Sequence, residues 1–341
     1  MKNNMTSALS NAMVNTLKPH RRTLLAAAAA LVLSSFGLAH AQVAPYPNKP
    51  IKFVVAFAPG GPADIIARLL GQRLSDVLGQ PIVVENRAGA GGNVTSGLVA
   101  KAAPDGYTLM VTTTSFAVNA ALSKKPGFDA EKDFTLASLV ASSPNILLAY
   151  PGIKPKTLQE VLVEAKSGKL NYGTAGAGTS PHLTAEYLFK VLAKVSVTHI
   201  PFQGGSPAAN AVMGGQVELA SVALPPAVEL IKGGKVRALA VTSAKRVASL
   251  PDVPTVAESG FPGFEDYTWV GVFAPSKTPA DIVQRLNTEI EKILHQPDFQ
   301  TRLAGVGFEP VGGSTEQAAQ YLKAELLKWA KVVKETGANA E

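Results

Sequence analysis

Short runs rich in Val, Ile, Leu and Phe alternate with amphipathic stretches along most of the chain, and that alternation restricts it to α/β architecture. Ile51 to Phe57 reads as a buried strand. After the turn Ala58-Pro59-Gly60-Gly61, a helix carries Ile65, Ile66, Leu69, Leu70 and Leu74 at helical spacing. Pro81 to Glu85 and Thr108 to Thr113 are further strands, with Gly97 to Ala102 in a helix between them. Ile146 to Tyr150 reads as a strand leaving this first lobe. A second set follows: a helix at Thr157 to Lys166, a strand at Leu170 to Thr174, a helix at Pro181 to Leu192, a strand at Ser196 to Pro201 and a helix at Pro207 to Met213. Val217 to Ser221, Ala238 to Thr242 and Tyr267 to Ala274 are strand-like, and the helices Pro279 to Leu294 and Glu316 to Glu335 close the chain. Two α/β lobes joined by extended crossings near Ala149 and Trp269 account for this order and leave a cleft, where ligands usually sit.

Residues 1–41 stand apart from that pattern. Lys2, Lys18, Arg21 and Arg22 form a basic region without acids, an apolar run extends from Leu24 to Leu38, and Ala39-His40-Ala41 is an A-x-A cleavage site. The run is shorter than the roughly 20 apolar residues of a membrane-spanning helix. A signal peptide cleaved after Ala41 is therefore expected, with a mature periplasmic chain from Gln42. Arg21-Arg22 followed by Leu24 and Leu25 also fits a loose twin-arginine signal, and Met13 is an alternative start. The leader holds four of the 32 Lys and Arg and none of the 25 Asp and Glu, so the net charge falls from +7 to 28 − 25 = +3. No basic stripe stands out, which argues against a nucleic-acid partner. With no cysteine in 341 residues, disulfide staples and thiolate chemistry are excluded, and the core alone must stabilise the fold.

Three strand-to-helix turns share one construction. At Gly60-Gly61-Pro62-Ala63-Asp64 the glycines permit close backbone approach to a ligand, Pro62 suits the first helical position, and Asp64 can tie down neighbouring amides. In Gly173-Thr174-Ala175-Gly176-Ala177-Gly178-Thr179-Ser180-Pro181-His182, Ser180 is a natural N-cap and Pro181 fits the next position. Gly204-Gly205-Ser206-Pro207 repeats the Ser-Pro opening. Free amides and the helix dipole make such ends anion sites. Each turn alone is a weak signal, but the repetition in both lobes suits an anionic solute held between opposed helix ends.

Other chemistries lack their patterns. Gly89-Ala90-Gly91-Gly92 does not have dinucleotide spacing, Gly173 to Gly178 lacks the P-loop lysine, and Gly204 to Ala208 misses the last glycine of a nucleophile elbow. His182, His199 and His295 have no metal-binding spacing. His182 is open to three roles: ligand donor, helix-end buffer or structural residue. Trp269 and Trp329 read as packing residues, and Glu325, Lys328 and Lys331 as a solvated helix face. No cofactor or catalytic set is expected.

With these residues in view, the chain resembles the solute-binding proteins of tripartite tricarboxylate transporters, the Bug receptors. The likeness runs from Tyr46 to about Gly337. It is carried by Tyr46-Pro47-Asn48-Lys49-Pro50-Ile51, by Ala58-Pro59-Gly60-Gly61 with Asp64 and Ala67-Arg68, and by Val84-Glu85-Asn86-Arg87 with Gly89-Ala90-Gly91-Gly92-Asn93. Pro104-Asp105-Gly106-Tyr107-Thr108, Gly176 to Leu183, Gly214-Gly215-Gln216-Val217 and Pro251 to Glu258 complete the set. The resemblance implies a type II periplasmic-binding-protein fold, two α/β lobes with a central ligand cleft. Residues 42–147 would form the first part of lobe 1, 148–266 lobe 2, and 267–341 the return to lobe 1. It further implies that a ligand carboxylate is held, partly through ordered waters, by the loop from Phe57 to Asp64 (Phe57, Gly60, Gly61, Ala63, Asp64) and the loop from Thr174 to His182 (Thr174, Ala175, Thr179, Ser180, His182). Thr113, Thr114 and Ser115 would add hydroxyls, and Phe202 and Gln203 would flank the second lobe. Family members commonly carry Pro where Ala56 stands. They often carry an acid on the strand after Gln216-Val217, where this chain reads Ser221-Val222-Ala223. That loss argues against an amino-acid ligand. Val222 and Ala223, with Phe57, Phe116 and Phe202, favour an aromatic or unsubstituted carboxylate.

The expected function is thus capture of a small organic carboxylate, aromatic or dicarboxylate among the candidates, by a monomeric receptor, followed by delivery to inner-membrane permease subunits. A ligand sensor feeding a membrane kinase is the runner-up, and an enzyme comes third for want of a nucleophile or metal pattern.

Overall fold

The computed structural model describes residues 46–338, so the expected leader and its cleavage site lie outside the described residues. The chain runs β1 (Ile51–Val55), α1 (Pro62–Leu78), β2 (Ile82–Asn86), α2 (Asn93–Val99), β3 (Thr108–Thr113), α3 (Ser115–Leu122), β4 (Phe134–Ala149), α4 (Leu158–Ala165), β5 (Asn171–Thr174), α5 (Ser180–Glu186) and β6 (Thr198–Pro201). It continues α6 (Gly205–Met213), β7 (Leu219–Ala223), α7 (Val228–Lys232), β8 (Arg237–Val241), β9 (Tyr267–Pro275), α8 (Ala280–Leu294), α9 (Pro297–Gly305), β10 (Glu309–Pro310) and α10 (Thr315–Thr336).

The strands lie in the order β2-β1-β3-β9-β4-β7-β5-β6, with β10 and β8 also pairing β4. β1, β2 and β3 are parallel, as are β5, β6 and β7, and the antiparallel β4 and β9 stand between these groups. The 16-residue β4 belongs to both halves. It pairs with β9 as far as Pro144, then with β7 and β8 from Asn145 and Ile146 onward. The change of partner therefore falls inside β4, ahead of the crossing expected near Ala149.

Helices cover both faces of each half, as mostly parallel sheets require. Leu70 and Leu74 of α1 meet Leu286, Ile290 and Ile293 of α8 over one face of the first half. Phe116 of α3 and Trp329 of α10 cover the other. In the second half, Ala208 and Val212 of α6 pack on one face, and Leu158 and Val161 of α4 with Phe189 on the opposite one. Truncating one such residue, Leu70→Ala for example, costs about 2–5 kcal/mol through lost burial and the cavity left behind.

Two expectations change here. The tail helix is not a solvated face at Glu325. That carboxylate is buried and accepts hydrogen bonds from both indoles, Trp269 Nε1 at 2.8 Å and Trp329 Nε1 at 2.9 Å. Lys328 bridges Glu325 and Asp266, while Lys331 does lie exposed beside Glu335. The expected helix from Pro181 to Leu192 is α-helical only to Glu186 and winds as a π-helix over Tyr187–Leu192. Among the described residues no helix is long and apolar enough to cross a membrane.

Candidate functional site

Two neighbouring cavities occupy the seam between the sheet halves. The inner one is small, about 20 Å³, and is walled by residues that open helices: Pro62 of α1, Ser115 of α3, Pro181 of α5 and Gly205 of α6. The positive ends of these helices meet there, although Pro62 and Pro181 carry no N–H and the Ser115 N–H already donates to Thr113 Oγ1. The outer cavity, about 590 Å³, is lined on one side by Phe57, the Gly89–Gly91 turn and Asn119, and on the other by Ala175–Ala177, Phe202 and Gln203. Phe57 and Ala175 belong to both walls.

The first loop is tied as its sequence suggests. Gly61 is the N-cap and Pro62 the first residue of α1. Asp64 is 3 % exposed and turns back on its own loop. It accepts from Gly60 N–H at 2.8 Å, Asn86 Nδ2 at 2.9 Å and Arg68 Nε at 3.0 Å. Burial opposes its ionisation, but the bonds from Arg68, Gly60 and Asn86 outweigh it and hold the carboxyl below its usual range. Asp64 therefore touches the loop and lines neither cavity. Ala63 is likewise in the core and lines neither cavity. Gly60, at φ +79°, lies against α6, where an added Cβ would stand 2.9 Å from Ser206 Oγ.

On the second loop Thr179 is the N-cap of α5, not Ser180, whose buried hydroxyl instead pairs with Thr268 Oγ1 at 2.7 Å. Helix α6 starts at Gly205 with Gly204 as N-cap, ahead of the Ser206-Pro207 opening read from the sequence. Thr179 lines the inner cavity, and its hydroxyl donates to Gly176 O at 2.8 Å. Thr174 lies beneath the loop, its hydroxyl 2.7 Å from His199 Nε2. His182 accepts from Gly178 N–H through Nδ1 at 3.3 Å and stacks on His199 with ring centroids 4.0 Å apart. Burial pushes His182 down to about 4, helped by Lys190. Burial, then the His182 and Lys190 charges, push His199 to about 3. Both imidazoles are neutral props under the loop.

At the end of β3, Thr113 and Ser115 line the inner cavity with hydroxyls 3.0 Å apart, whereas Thr114 Oγ1 accepts from Trp269 N–H at 2.9 Å and faces β9. Period-two alternation decides the last position. Val222 turns into the second half's core and lines neither cavity, while Ala223 beside it faces the inner one. Phe116 is in the core of the first half, stacked on Phe128, so of the three phenylalanines only Phe57 and Phe202 wall the site.

The sequence reading passed over Asn119 and dismissed the Gly89–Gly92 run with the nucleotide motifs. Gly91 is at φ +61°, and a Cβ on it would stand 2.5 Å from Ala177 O of the opposite wall. Glycine there lets the halves touch. Asn119 Nδ2 lies 3.0 Å from Gly91 O and 2.9 Å from Gly178 O, joining one wall to the other. The glycine run was visible in the sequence; the helix carrying Asn119 was not.

No group of His, Asp, Glu or Cys able to hold a metal occurs among the described residues. A seam between two α/β halves, walled by backbone amides and helix ends, is the construction of a solute-binding protein with the two-lobed periplasmic-binding fold. Comparison with known proteins makes this specific. Residues 66–338 match the tripartite tricarboxylate transporter family receptor, and the chain belongs to that family. BugT of Bordetella pertussis is 36 % identical over 86 % of this chain and 91 % of its own. Among solved structures, Rpa4515 of R. palustris with adipate superposes with a TM-score of 0.84 at 35 % identity, covering 86 % of this chain and 99 % of that one. MatC of Rhodopseudomonas palustris with bound malate gives 0.80 at 37 % identity over 84 % and 100 %. The chain is a Bug-type receptor, of a family of periplasmic solute-binding proteins.

Proposed function

We propose that this receptor captures a small organic carboxylate in the periplasm and delivers it to the inner-membrane permease subunits of a tripartite tricarboxylate-type transporter. The observation that carries the reading is the convergence of α1, α3, α5 and α6, by their N-terminal ends, on one water-sized cavity beside a larger one. Such an end attracts a carboxylate without needing a lysine or arginine. The inner space of about 20 Å³ accommodates a single water, which suits a bridge between carboxylate and helix amides. Adipate in Rpa4515 and malate in MatC support the same ligand class.

In this reading Ser115, whose Oγ accepts from Thr113, turns its own hydroxyl proton to the carboxylate, and the amide after Gly60 supplies an N–H group, while Thr179 and the amide after Ala175, bonded to Gly176 O and Thr174 Oγ1, shape the wall. Asp64, Thr174 and His182 hold the two loops in shape. The lobes comprise residues 42–147 with 267–341, and 148–266, and close about the crossings at β4 and β9 as a monomer. Residues 1–41 direct export and are removed. Neither cavity wall contains an acidic residue, so a ligand ammonium has no partner there. With Phe57 and Phe202 in the wall, this favours a non-amino carboxylate, aliphatic or aromatic.

A thermal-shift screen of residues 42–341 against aromatic, di- and tricarboxylic and amino acids tests the proposal. A ligand at 100 times its Kd adds about 2.7 kcal/mol of stability. Stabilisation by a carboxylate class supports the reading. No shift with any carboxylate sinks it, and an amino acid preferred over all non-amino acids sinks the ligand preference alone.

A further inference from the structure

Asp266, the residue before β9, gathers three elements onto one buried carboxylate. Oδ2 accepts from Asn145 Nδ2 of β4 at 2.8 Å and from the Thr184 hydroxyl of α5 at 2.5 Å, and Oδ1 accepts from Lys328 Nζ of α10 at 3.2 Å. Three donors and no acceptor bond to it, which is the environment of an ionised carboxylate. The group opens onto a third cavity of about 290 Å³, behind the crossings, that shares no residue with the two cavities of the cleft.

The bonds continue from Asp266 to the cleft. Thr268 Oγ1 donates to Asn145 Oδ1 at 2.7 Å, and Thr268 lines the inner cavity. A carboxylate only accepts, so Asn145 must turn its amide nitrogen to Asp266 and its oxygen to Thr268. The single hydrogen of Thr268 is thereby committed, and in its 2.7 Å contact with the Ser180 hydroxyl it is Ser180 that donates. Each hydrogen from Ser180 through Thr268 and Asn145 points towards Asp266, and so does that of Lys328 from the other side. Thr268 has none left for the inner cavity and can only accept there.

This order depends on the charge of Asp266. Burial favours the neutral acid, and the Lys328 charge opposes that. A neutral acid has a hydrogen of its own to place, and Asn145 is then free to turn over, giving Thr268 a hydrogen where it took one. The hydroxyls that anchor the opening of α5 would lose their fixed direction.

We propose that the Lys328–Asp266 pair is a positioning device for ligand capture: acting through Asn145, it sets which way the Thr268 and Ser180 hydroxyls point and so aligns the opening of α5 at the inner cavity. Neither member touches ligand. The proposal rests on the carboxylate reading above and adds to it a control point behind the crossings.

The test is calorimetric titration at neutral pH with adipate, malate and benzoate as probes, well below the melting temperature of each variant. Lys328 is partly exposed and lines neither cavity of the cleft, so Lys328→Gln leaves the fold intact. It should weaken binding of whichever probe the wild type holds by about fivefold. Lys328→Arg, which keeps the charge, should bind as the wild type does, and so should Lys331→Gln, an exposed neighbour lining the same rear cavity. In a Thr268→Val background, where the run of bonds is cut, Lys328→Gln should cost less than about twofold. Asp266→Asn, which keeps the shape and removes the charge, should repeat the pattern of Lys328→Gln in both backgrounds. Unchanged affinity in Lys328→Gln, or an equal loss with and without Thr268, overturns the proposal and leaves the carboxylate reading standing. Failure of the wild type to bind any carboxylate removes both.

Discussion

At the scale of single residues, the site is built by side chains that bond to the protein so that the backbone can face the ligand. Asp64 is the clearest case. Its carboxylate accepts from Gly60 N–H, Asn86 and Arg68 and is nearly out of solvent. Asp64→Ala would strand the first two donors, and a hydrogen bond to a charged group is worth about 1.5–3 kcal/mol net. Because the chain is large, the expected loss is a drop of several degrees in Tm, not unfolding, and ligand affinity should fall about tenfold as the loop loosens. Asp64→Asn, which keeps one acceptor oxygen without the charge, should fall between. Since its folded pKa lies below the ordinary 3.8, the bond's contribution is complete above that pH and is lost as pH drops further. Unchanged affinity in Asp64→Ala, read by calorimetry, would show that the loop holds its shape without this residue.

At the scale of elements, the stacked His182 and His199 pair joins α5 to β6 beneath the second loop. The groups facing it are Tyr172 of β5, which packs on His199, Glu186 of α5, and Lys190, which pairs with Glu186. Both folded pKa values lie below the unfolded 6.5, so the unfolded chain binds more protons in acid. The pair's contribution is therefore complete above pH 6.5 and declines as pH falls towards about 4, at up to about 1.4 kcal/mol per proton per pH unit. Melting temperature against pH should drop across that window, and His182→Gln with His199→Gln should flatten it. An unchanged profile would mean that other groups carry the acid sensitivity. This pair also marks how far the sequence could be read. The helix-opening turns, α1, β3 and the two long C-terminal helices follow from local pattern, since glycine, proline and apolar period act over a few residues. The His pair does not, because it arises from a contact between residues 182 and 199 that only β5–β6 pairing creates. The first twelve residues of β4 escaped for a related reason. Ser138, Ser142, Ser143, Pro144 and Asn145 resemble a loop, yet Ser143, paired with β9, and Asn145, paired with β7, are buried, and the Asn145 amide is satisfied by the distant Asp266. Asn119 was hidden because α3 is short and almost wholly apolar, which leaves no amphipathic period to detect.

At the scale of the whole molecule, the two halves share one sheet at β4 and touch again across the site, and these two kinds of contact have different character. Near the crossings, Asn145 donates to Asp266 at 2.8 Å and accepts from Thr268 at 2.7 Å, while Lys328 reaches Asp266 from α10. Burial raises the Asp266 pKa against the pull of Lys328 and Thr184, so this carboxylate depends on its partners and the crossing is costly to break. Asn119 behaves otherwise. Its amide nitrogen has two hydrogens but three carbonyls within 3.0 Å, Gly91 O and Ser115 O on its own side and Gly178 O opposite. If the halves part, Gly178 is lost and the first two still satisfy the amide. The link thus favours closure by about 1 kcal/mol, the net worth of one neutral hydrogen bond, and leaves nothing buried and unpaired when released. That is the energy scale a ligand can overcome or exploit through its preference for the closed form. Asn119→Ala should therefore weaken apparent ligand affinity about fivefold, by lowering the closed fraction. It should also increase the radius of gyration of the free protein in X-ray scattering, with saturating ligand restoring the wild-type value. Asn119→Asp, which sets a carboxylate against three carbonyl oxygens, should do so more strongly. If both variants bind and scatter like the wild type, closure is governed at the crossings alone and the contact with Gly178 is incidental.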